Sequence, residues 1–540
     1  MAKMKMNLCR IFLAGFLLLL PASTSAIAAD KHTFEAEAAK RVGASKVADS
    51  AASGGYLVGL IKPGQGVKFT RLPTTSRLAI RYATVKVGTI SVAVNDQPAR
   101  KVNVHSSGAL TNSFLNALIE LAIPAKATLT ISLATNDVAV NIDRIVVGDG
   151  DLGLPPDIWN LPPLPVADGP YSADWKALSR IYTVPEWWRD AKFGAWAHWD
   201  PQSMPERGDW YARGMYMEGN GQYSSHLKNF GHPSEYGYKD ICHNWVIDRW
   251  NPNELMDLSV EMGARYFMAM GVHHDNFDCW DSAYQPWNSV RVGPKVDVVG
   301  TWEKVARQRG LRFGIGFHNS SGRTWGQFMP VRYTSDKKGP KQGVPYDTLQ
   351  TILDGKGKWW EGMDPVDIYG PVHNNKDPLH SPFANQFMWR VDDALTKYHP
   401  DMIYFDEHAG DSQMDLGVRM GLGFLAPPLI ANYYNKSLQW NRGKMDVVLN
   451  LKAWAGATTA SKIPPNSFPS WTAPWSRAPK PTRTGDHGLS LPDRDHHRRL
   501  ALPDWTEIPG CEKGNRVADA ERLSQRNHVA QPHPAWPGRS

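Results

Sequence analysis

From about Trp175 onward, short apolar runs alternate with amphipathic helical segments, and this alternation constrains the fold more than any other feature. Two of the helical segments, NPNELMDLSVEMG and VGTWEKVARQRG, end in glycine, which commonly terminates a helix. Repeated strand–helix units predict a parallel sheet, and this many predict a TIM-like (β/α)8 barrel over residues 173–470. The apolar runs are KFGAWAHW, ARYFMAMGVHH, LRFGIGFHN, DMIYFDEH, PLIANYYN and MDVVLNLK.

The preceding region has a different periodicity, so the chain is predicted to be multidomain. Residues 30–150 contain short alternating runs separated by turn residues, such as GVKFTRL, RLAIRYATV, TISVAVN and ATLTISLA. Alternation with a period of two is typical of half-buried strands, and strands at such close spacing predict a β-sandwich. Residues 151–172 are rich in Pro and Gly and are predicted to be a linker without regular structure.

The first 29 residues have the pattern of a secretory signal peptide. Lys3, Lys5 and Arg10 are followed by the apolar run IFLAGFLLLL, and AIAAD offers a cleavage site near Ala28 or Ala29. A membrane anchor is the alternative, but the run is short for a bilayer span. We therefore expect a secreted or periplasmic protein with no membrane association once the signal is removed.

Charge and cysteine content exclude several other classes. Much of the formal net charge of +7 lies in the signal segment and in the last 70 residues, so the basic balance does not indicate a nucleic-acid partner. Cys242 and Cys279 could form a disulfide or remain as two buried thiols, and no cysteine spacing resembles a zinc site.

Polar side chains stand where the predicted barrel strands end, at the face where barrel enzymes carry their active sites. A metal site would need three or four ligands, but the adjacent His273 and His274 should point to opposite faces of a strand. Simple strand-end capping is one interpretation. A sugar site is another, because imidazoles can bind hydroxyls and indoles such as Trp199, Trp210 and Trp280 can stack on a ring. The strand-end residues are His198, His273, His274, Asp275, His318, Asp406 and Asn432.

The segment from about Ala173 to Ala460 resembles glycoside hydrolase family 29, the α-L-fucosidases. The blocks that carry the resemblance are WWRDAKFGAWAHWDPQSMPERGDWYARGMY, YFMAMGVHHDNFDCWDSAYQPWNSVRVGPKVDVVG and HPDMIYFD. This resemblance implies an exported retaining hydrolase that cleaves terminal α-L-fucose through a covalent glycosyl-enzyme. Its partner would be a fucosylated oligosaccharide or glycoconjugate, and no catalytic cofactor or metal is implied.

The resemblance also implies roles for individual residues. Asp406 would be the catalytic nucleophile, Trp210 would contact the sugar ring, and Asp209 stands where the family usually has Glu. Asn276 replaces a usual Gly, and GFHNSS replaces a Tyr-Ser stretch, so the sugar pocket is expected to differ from that of the family. The substrate-binding residues expected overall are His198, Trp199, Asp209, Trp210, His273 and His274.

Residues 30–150 resemble carbohydrate-binding modules of the family 6/35 type. The matching pieces are FEAEAA, GGYLVG, AIRYA, VAVND and VNIDRIVV. In such modules two early glutamates and a late aspartate often hold a structural calcium ion, and the matching residues are Glu35, Glu37 and Asp143. Carboxylate oxygens are the ligands that Ca²⁺ prefers.

Residues 471–540 lose all periodicity and are predicted to be a disordered tail or a frameshifted one. With permitted codons, LPDRDHHRRLALPDWTEIPG read one nucleotide later becomes CQTETTIGDWLYRTGQKFQ, which resembles a late block of the same hydrolase family. A frameshift would leave the barrel incomplete at its C-terminus. Because no Glu lies between Glu407 and Glu507, the proton donor is not identified. Two alternatives therefore stay open, a catalytically impaired carbohydrate-binding relative and a glycosidase for a related sugar.

Overall fold

A computed structural model describes residues 31–319, 321–373, 381–406, 412–413, 419–420 and 425–451. The predicted signal peptide and the predicted tail lie outside these residues. The N-terminal region is built from the strands β1 His32–Glu35, β2 Lys40–Val42, β3 Ser45–Ala48, β4 Tyr56–Leu60, β5 Gly66–Leu72, β6 Thr75–Ala83, β7 Gly88–Val94, β8 Arg100–Val104, β9 Leu115–Ile123, β10 Ala127–Ser132 and β11 Val140–Gly148.

These strands form two antiparallel sheets around one apolar core, as the alternating pattern predicts. One sheet has the order β3-β4-β11-β6-β9, with β1 also on β11, and the other has the order β2-β5-β10-β7-β8. In β10 buried and half-buried residues alternate, so Leu129 and Ile131 face the core. Burying a side chain of this size contributes about 2 kcal/mol, which is why strict alternation specifies the sandwich.

The C-terminal region alternates helices with five parallel strands and one short hairpin of β16 and β17. Its strands are β12 Ala195–Ala197, β13 Tyr266–Val272, β14 Arg312–Phe317, β15 Met402–Phe405, β16 Ser412–Gln413, β17 Arg419–Met420 and β18 Val448–Leu451. Its helices are α1 Trp175–Ile181, α2 Glu186–Ala191, α3 Tyr211–Gly214, α4 Gly221–Asn229, α5 Tyr238–His243, α6 Pro252–Glu261, α7 Val298–Gln308, α8 Met329–Arg332, α9 Val366–Tyr369, α10 Ser381–Tyr398 and α11 Ala426–Trp440, with a π-helix at Ser321–Phe328.

The parallel strands form one sheet in the order β12-β13-β14-β15-β18. The prediction of a parallel strand–helix domain therefore holds for this sheet. A closed eight-stranded barrel is not found among the residues that the structure describes, so closure, and its loss at the C-terminus, remain predictions.

One predicted strand is wrong. The run PLIANYYN lies inside the 15-residue helix α11, where paired prolines occupy the first turn, a position that tolerates the missing N–H. Asn432 is consequently not at a strand end. Its side-chain oxygen accepts from the backbone N–H of Ala167 at 3.0 Å, and its side-chain nitrogen donates to Asp392 Oδ1 at 2.8 Å.

The segment 151–172 contains no helix or strand, as predicted for a linker, yet part of it is buried. Trp159 belongs to a buried cluster with Trp325 and Phe383, and its indole Nε1 donates to Asp367 Oδ1 at 2.9 Å. Asn160 binds the backbone of Asn103 in β8 through both ends of its amide. The segment is therefore a packed strap between the sandwich and the parallel sheet.

Cys242 and Cys279 are buried free thiols, so the second of the two expectations holds for them. Burial raises the pKa of both thiols well above the ordinary value, which leaves them protonated. Among the described helices, none has the length and hydrophobicity required to cross a membrane.

Candidate active site

The carboxyl edge of the parallel sheet gathers four histidines and one aspartate. His198 follows β12, His273 and His274 follow β13, His318 follows β14, and Asp406 follows β15. The ring centroids of His273 lie 5.0 Å from His198, 4.9 Å from His318 and 4.6 Å from His274. Parallel strands end at the same edge, which is why residues far apart in sequence meet here.

Asp406 is a buried carboxylate with a cation directly beside it. Its side chain is 7% exposed, and the guanidinium of Arg323, from the π-helix that follows β14, forms an ion pair with Oδ2. His274 Nε2 lies 3.5 Å from the same oxygen, and Tyr404 Oη donates to Oδ1 at 3.2 Å. The positive charge and the donated hydrogen bond favour the ionised form that a nucleophile requires.

His274 is oriented by partners on both ring nitrogens. Its Nδ1 donates to the backbone carbonyl of His318, so the neutral ring presents a lone pair at Nε2. Arg323 Nη1 donates to that nitrogen at 3.2 Å. Burial lowers the pKa of His274, with the Asp406 charge opposing, and keeps the ring neutral. His274 Nε2 therefore accepts from Arg323 in this structure, beside the Asp406 carboxylate.

His273 stands on the other side of the cluster. Gln202 Nε2 lies 2.7 Å from its Nδ1, and Asp209 Oδ1 lies 3.3 Å from its Nε2. Burial lowers the pKa of His273 well below the ordinary value, and the nearby histidines and Arg323 lower it further. The ring is therefore neutral at physiological pH and can donate from only one nitrogen.

Trp210 and Asp209 border the cluster on a strained loop. Trp210 has φ 64°, a left-handed backbone conformation that residues other than glycine rarely adopt. Its ring meets His274 edge-to-face, with the ring centroids 5.7 Å apart. The guanidinium of Arg323 lies 5.8 Å from the Trp210 centroid. Asp209 is 61% exposed, and its Oδ1 accepts from the backbone N–H of Trp210 at 2.8 Å. Such strain concentrates at functional loops.

Two expected tryptophans do not join the cluster. Trp199 packs against Trp245 and Trp250, each at 5.2 Å between ring centroids. Trp280 is fully buried, and its Nε1 donates to Asp393 Oδ2. Trp196, which is not among the predicted site residues, contacts His198 at 5.6 Å and is 39% exposed.

Asn276 has a backbone role. Its φ is 77°, which suits the glycine that the family usually has there, and asparagine is among the residues that best tolerate this conformation. Its amide donates to the carbonyls of Asp367 and Ile368 and accepts from Arg390. Asn276, in place of the usual glycine, therefore anchors the backbone after His274. Its side chain is directed to these partners and not to His273.

The nitrogens of His198, His273 and His318 lie within 4.8 Å of one another, so three imidazoles could in principle hold a metal ion. The three rings come from three different strand ends, so the opposite directions expected of the adjacent His273 and His274 do not prevent this grouping. A tetrahedral zinc site needs nitrogens about 3.4 Å apart, and His273 is already engaged on both sides. In the second group, formed by His274, His318 and Asp406, the Arg323 cation occupies the carboxylate.

In the sandwich, Glu35, Glu37 and Asp143 converge on Ser53 and Gly54. Ser53 Oγ donates to Glu35 Oε2 at 2.6 Å, and its backbone N–H donates to Asp143 Oδ1 at 2.9 Å. Gly54 has no side chain, which lets the Glu37 carboxylate approach the backbone; a methyl group there would displace Glu37 Oε1. Glu37 Oε2 is buried without a hydrogen-bond partner among the described residues.

Asp143 also forms an ion pair with Arg81. An all-oxygen set with one unsatisfied buried oxygen fits Ca²⁺ chemically, although Arg81 already neutralises part of its charge.

A sequence model described as alpha-L-fucosidase matches residues 163–460. The tissue alpha-L-fucosidases of Rattus norvegicus and Homo sapiens are 33% and 34% identical to this chain over 170 residues. Each alignment covers 31% of this chain and 35% of the relative, so the chain spans about a third of the length of the curated relatives it matches.

Two similar solved structures cover different parts of the chain. The Thermotoga maritima alpha-fucosidase in complex with fucose is 26% identical and covers 49% of this chain and 54% of that one, with a TM-score of 0.35. A family 35 carbohydrate binding module from Clostridium thermocellum is 25% identical and covers 22% of this chain and 98% of that one, with a TM-score of 0.20. Both TM-scores are too low to indicate a common fold by themselves.

Proposed function

The chain belongs to the alpha-L-fucosidase family, and we propose that it cleaves terminal α-L-fucose from glycans through a covalent glycosyl-enzyme on Asp406. The observation that carries the proposal is the position of this buried carboxylate. It stands at the carboxyl edge of the sheet, between Arg323 and His274 and next to further imidazoles. The substrate class rests on the relatives, whose names are those of fucosidases.

In the proposed reaction, one Asp406 oxygen attacks the anomeric carbon of fucose as the glycosidic bond breaks. The leaving oxygen departs with the bonding electron pair and takes a proton from a general acid or from water. Water then attacks the same carbon, loses a proton, and restores the Asp406 carboxylate, so the configuration is retained overall. Arg323 would hold the carboxylate in place, and His198 and His273 would bind sugar hydroxyls.

Turnover of 4-nitrophenyl α-L-fucoside by the purified full-length chain tests the proposal. Nitrophenolate leaves without protonation, so the assay does not depend on the unidentified proton donor. We expect turnover, with the α-anomer of fucose as the first product by NMR. Fucose binding without turnover would overturn the proposal in favour of a carbohydrate-binding relative.

A second candidate function is a glycosidase for a related sugar. The observation that favours it is His318, which is buried in the cluster where the family commonly has a Tyr-Ser stretch. Replacing a phenol by an imidazole changes both the size of the pocket and its hydrogen-bonding groups. Faster turnover of another aryl glycoside than of the fucoside in the same assay would favour this candidate.

We further propose that the parallel sheet belongs to a TIM-like barrel and that the sandwich is a carbohydrate-binding module. The consecutive strand–helix units support the first, and the two antiparallel sheets support the second. The pattern of residues 1–29 supports export, which N-terminal sequencing of protein recovered outside the cytoplasm would test.

We propose a structural calcium ion at Glu35, Glu37 and Asp143. Because a ligand that binds only the folded state stabilises it, calcium at about one hundred times its Kd should raise the melting temperature by about 5–10 °C. Thermal unfolding with calcium and with EDTA measures this shift. Glu37→Gln should abolish it, whereas Glu120→Gln, a change at an exposed glutamate of the same sandwich, should leave it intact. Equal melting temperatures with calcium and EDTA would contradict the proposal.

A further inference from the structure

The orientation of the Gln202 amide follows from a backbone group. The N–H of Ala212 can only donate, and it donates to Gln202 Oε1 at 3.1 Å. The other end of the amide, Nε2, therefore faces His273 Nδ1 at 2.7 Å. Asp200 Oδ2 lies 3.4 Å from the same Nε2 and also accepts from it. Both neighbours give the same orientation, and Gln202 is only 4% exposed.

This orientation determines which nitrogen of His273 carries the proton. An amide NH₂ can only donate, so His273 Nδ1 must accept. A neutral imidazole has one donor and one acceptor, which leaves the proton on Nε2. That nitrogen faces Asp209 Oδ1 at 3.3 Å, toward the exposed side of the cluster. His274 has the opposite tautomer, because its Nδ1 donates to a carbonyl.

We propose that Gln202 is a positioning residue that holds His273 as a hydrogen-bond donor toward the bound sugar. The sugar as ligand rests on the proposed function, whereas the tautomer of His273 follows from the hydrogen-bond geometry alone. Nitrogens of His198 and His318 lie within 4.8 Å of a His273 nitrogen, but in this tautomer Nε2 carries the proton and the Nδ1 lone pair is taken by Gln202. Gln202 therefore also keeps three clustered imidazoles from acting together as metal ligands.

Gln202→Glu reverses the polarity of this contact at nearly constant size. A carboxylate accepts from the N–H of Ala212 as before, but it also requires a donor at His273 Nδ1. In the neutral ring the proton then moves to Nδ1, and the lone pair is left on Nε2. Gln202→Met is the matched control, because it removes the contact without imposing the opposite polarity.

The test combines three measurements on the full-length chain. Histidine ¹⁵N NMR should report Nε2–H for His273 in the wild type and Nδ1–H in Gln202→Glu. Zinc titration by calorimetry should show at least about tenfold tighter binding for Gln202→Glu than for wild type or Gln202→Met, since an added imidazole ligand is worth more than one hydrogen bond. With an aryl fucoside as substrate, Gln202→Glu loses the His273 Nε2–H donor. We expect this loss to raise KM about tenfold with a smaller change in kcat.

The outcomes separate this inference from the proposed function. An Nδ1–H tautomer in the wild type, or no gain in zinc affinity for Gln202→Glu, overturns the role of Gln202 whatever the activity. The expected tautomer and zinc results in a chain without fucoside turnover would support the positioning role while the proposed function fails. The tautomer of His273 is measured in the wild type, so the role of Gln202 can be tested even if Gln202→Glu folds poorly.

Discussion

Replacing Asp406 by Gly is expected to reduce turnover of 4-nitrophenyl α-L-fucoside by roughly 10⁴-fold, because the covalent intermediate can no longer form. The substitution also opens space beside Arg323, where a small anion can bind. Added azide should therefore restore part of the activity by attacking the anomeric carbon from the vacated position. The product of this rescue is a fucosyl azide, whose configuration NMR can determine.

Asp401 provides the control on the same strand. It stands at the opposite end of β15, about 16 Å away along the strand, where it pairs with Arg307 and Arg312. Asp401→Asn should lower the melting temperature and leave kcat/KM close to the wild-type value. If Asp406→Gly kept most of the activity, or if Asp401→Asn lost as much activity as Asp406→Gly, Asp406 would not be the nucleophile.

Replacing Arg323 by Met should lower both activity and stability, because it leaves the buried Asp406 carboxylate without its cation. Removing one partner of a buried ion pair costs roughly 3–5 kcal/mol of unfolding free energy. The charged form of Asp406 becomes less favourable, so the acid limb of the kcat/KM profile should move to higher pH. At neutral pH we expect a loss of about 10²-fold or more in kcat/KM.

Arg213→Met is the matched control for this variant. The Arg213 guanidinium lies 5.7 Å from the Trp210 ring, much as that of Arg323 does, but its Nε donates to the carbonyl of Gln327. Its replacement should leave the acid limb in place. An unchanged pH profile in Arg323→Met, or the same shift in Arg213→Met, would contradict a direct electrostatic role for Arg323.

The residues that follow the strands could be placed from the sequence because a parallel sheet brings their carboxyl ends to one edge. His198, His273, His274 and Asp406 meet there for that reason. The two antiparallel sheets of the sandwich were equally predictable, since alternation with a period of two specifies which residues are buried. In both cases the local hydrophobic pattern of the strands is enough to predict which residues lie at the sheet edge or in the core.

Residues that act through tertiary contacts have no periodic signature in the sequence. Gln202 lies in a short 3-10 turn and Arg323 in a π-helix, so neither position follows from strand periodicity. Arg323 was the more detectable of the two, as a basic residue soon after a strand end. Trp199 was assigned to the sugar because of its residue type, whereas it lies beyond the end of β12 and packs against Trp245.

The packed strap also affects how this architecture could be rearranged. Domains joined by exposed linkers can be recombined with other domains, because cutting the linker exposes little apolar surface. Cutting inside the strap would withdraw the Trp159 indole from the buried cluster that contains Trp325 and Phe383, and it would remove the donor that serves Asp367. The strap is therefore part of the packing of the C-terminal region, and any graft of that region onto another scaffold would have to include the strap.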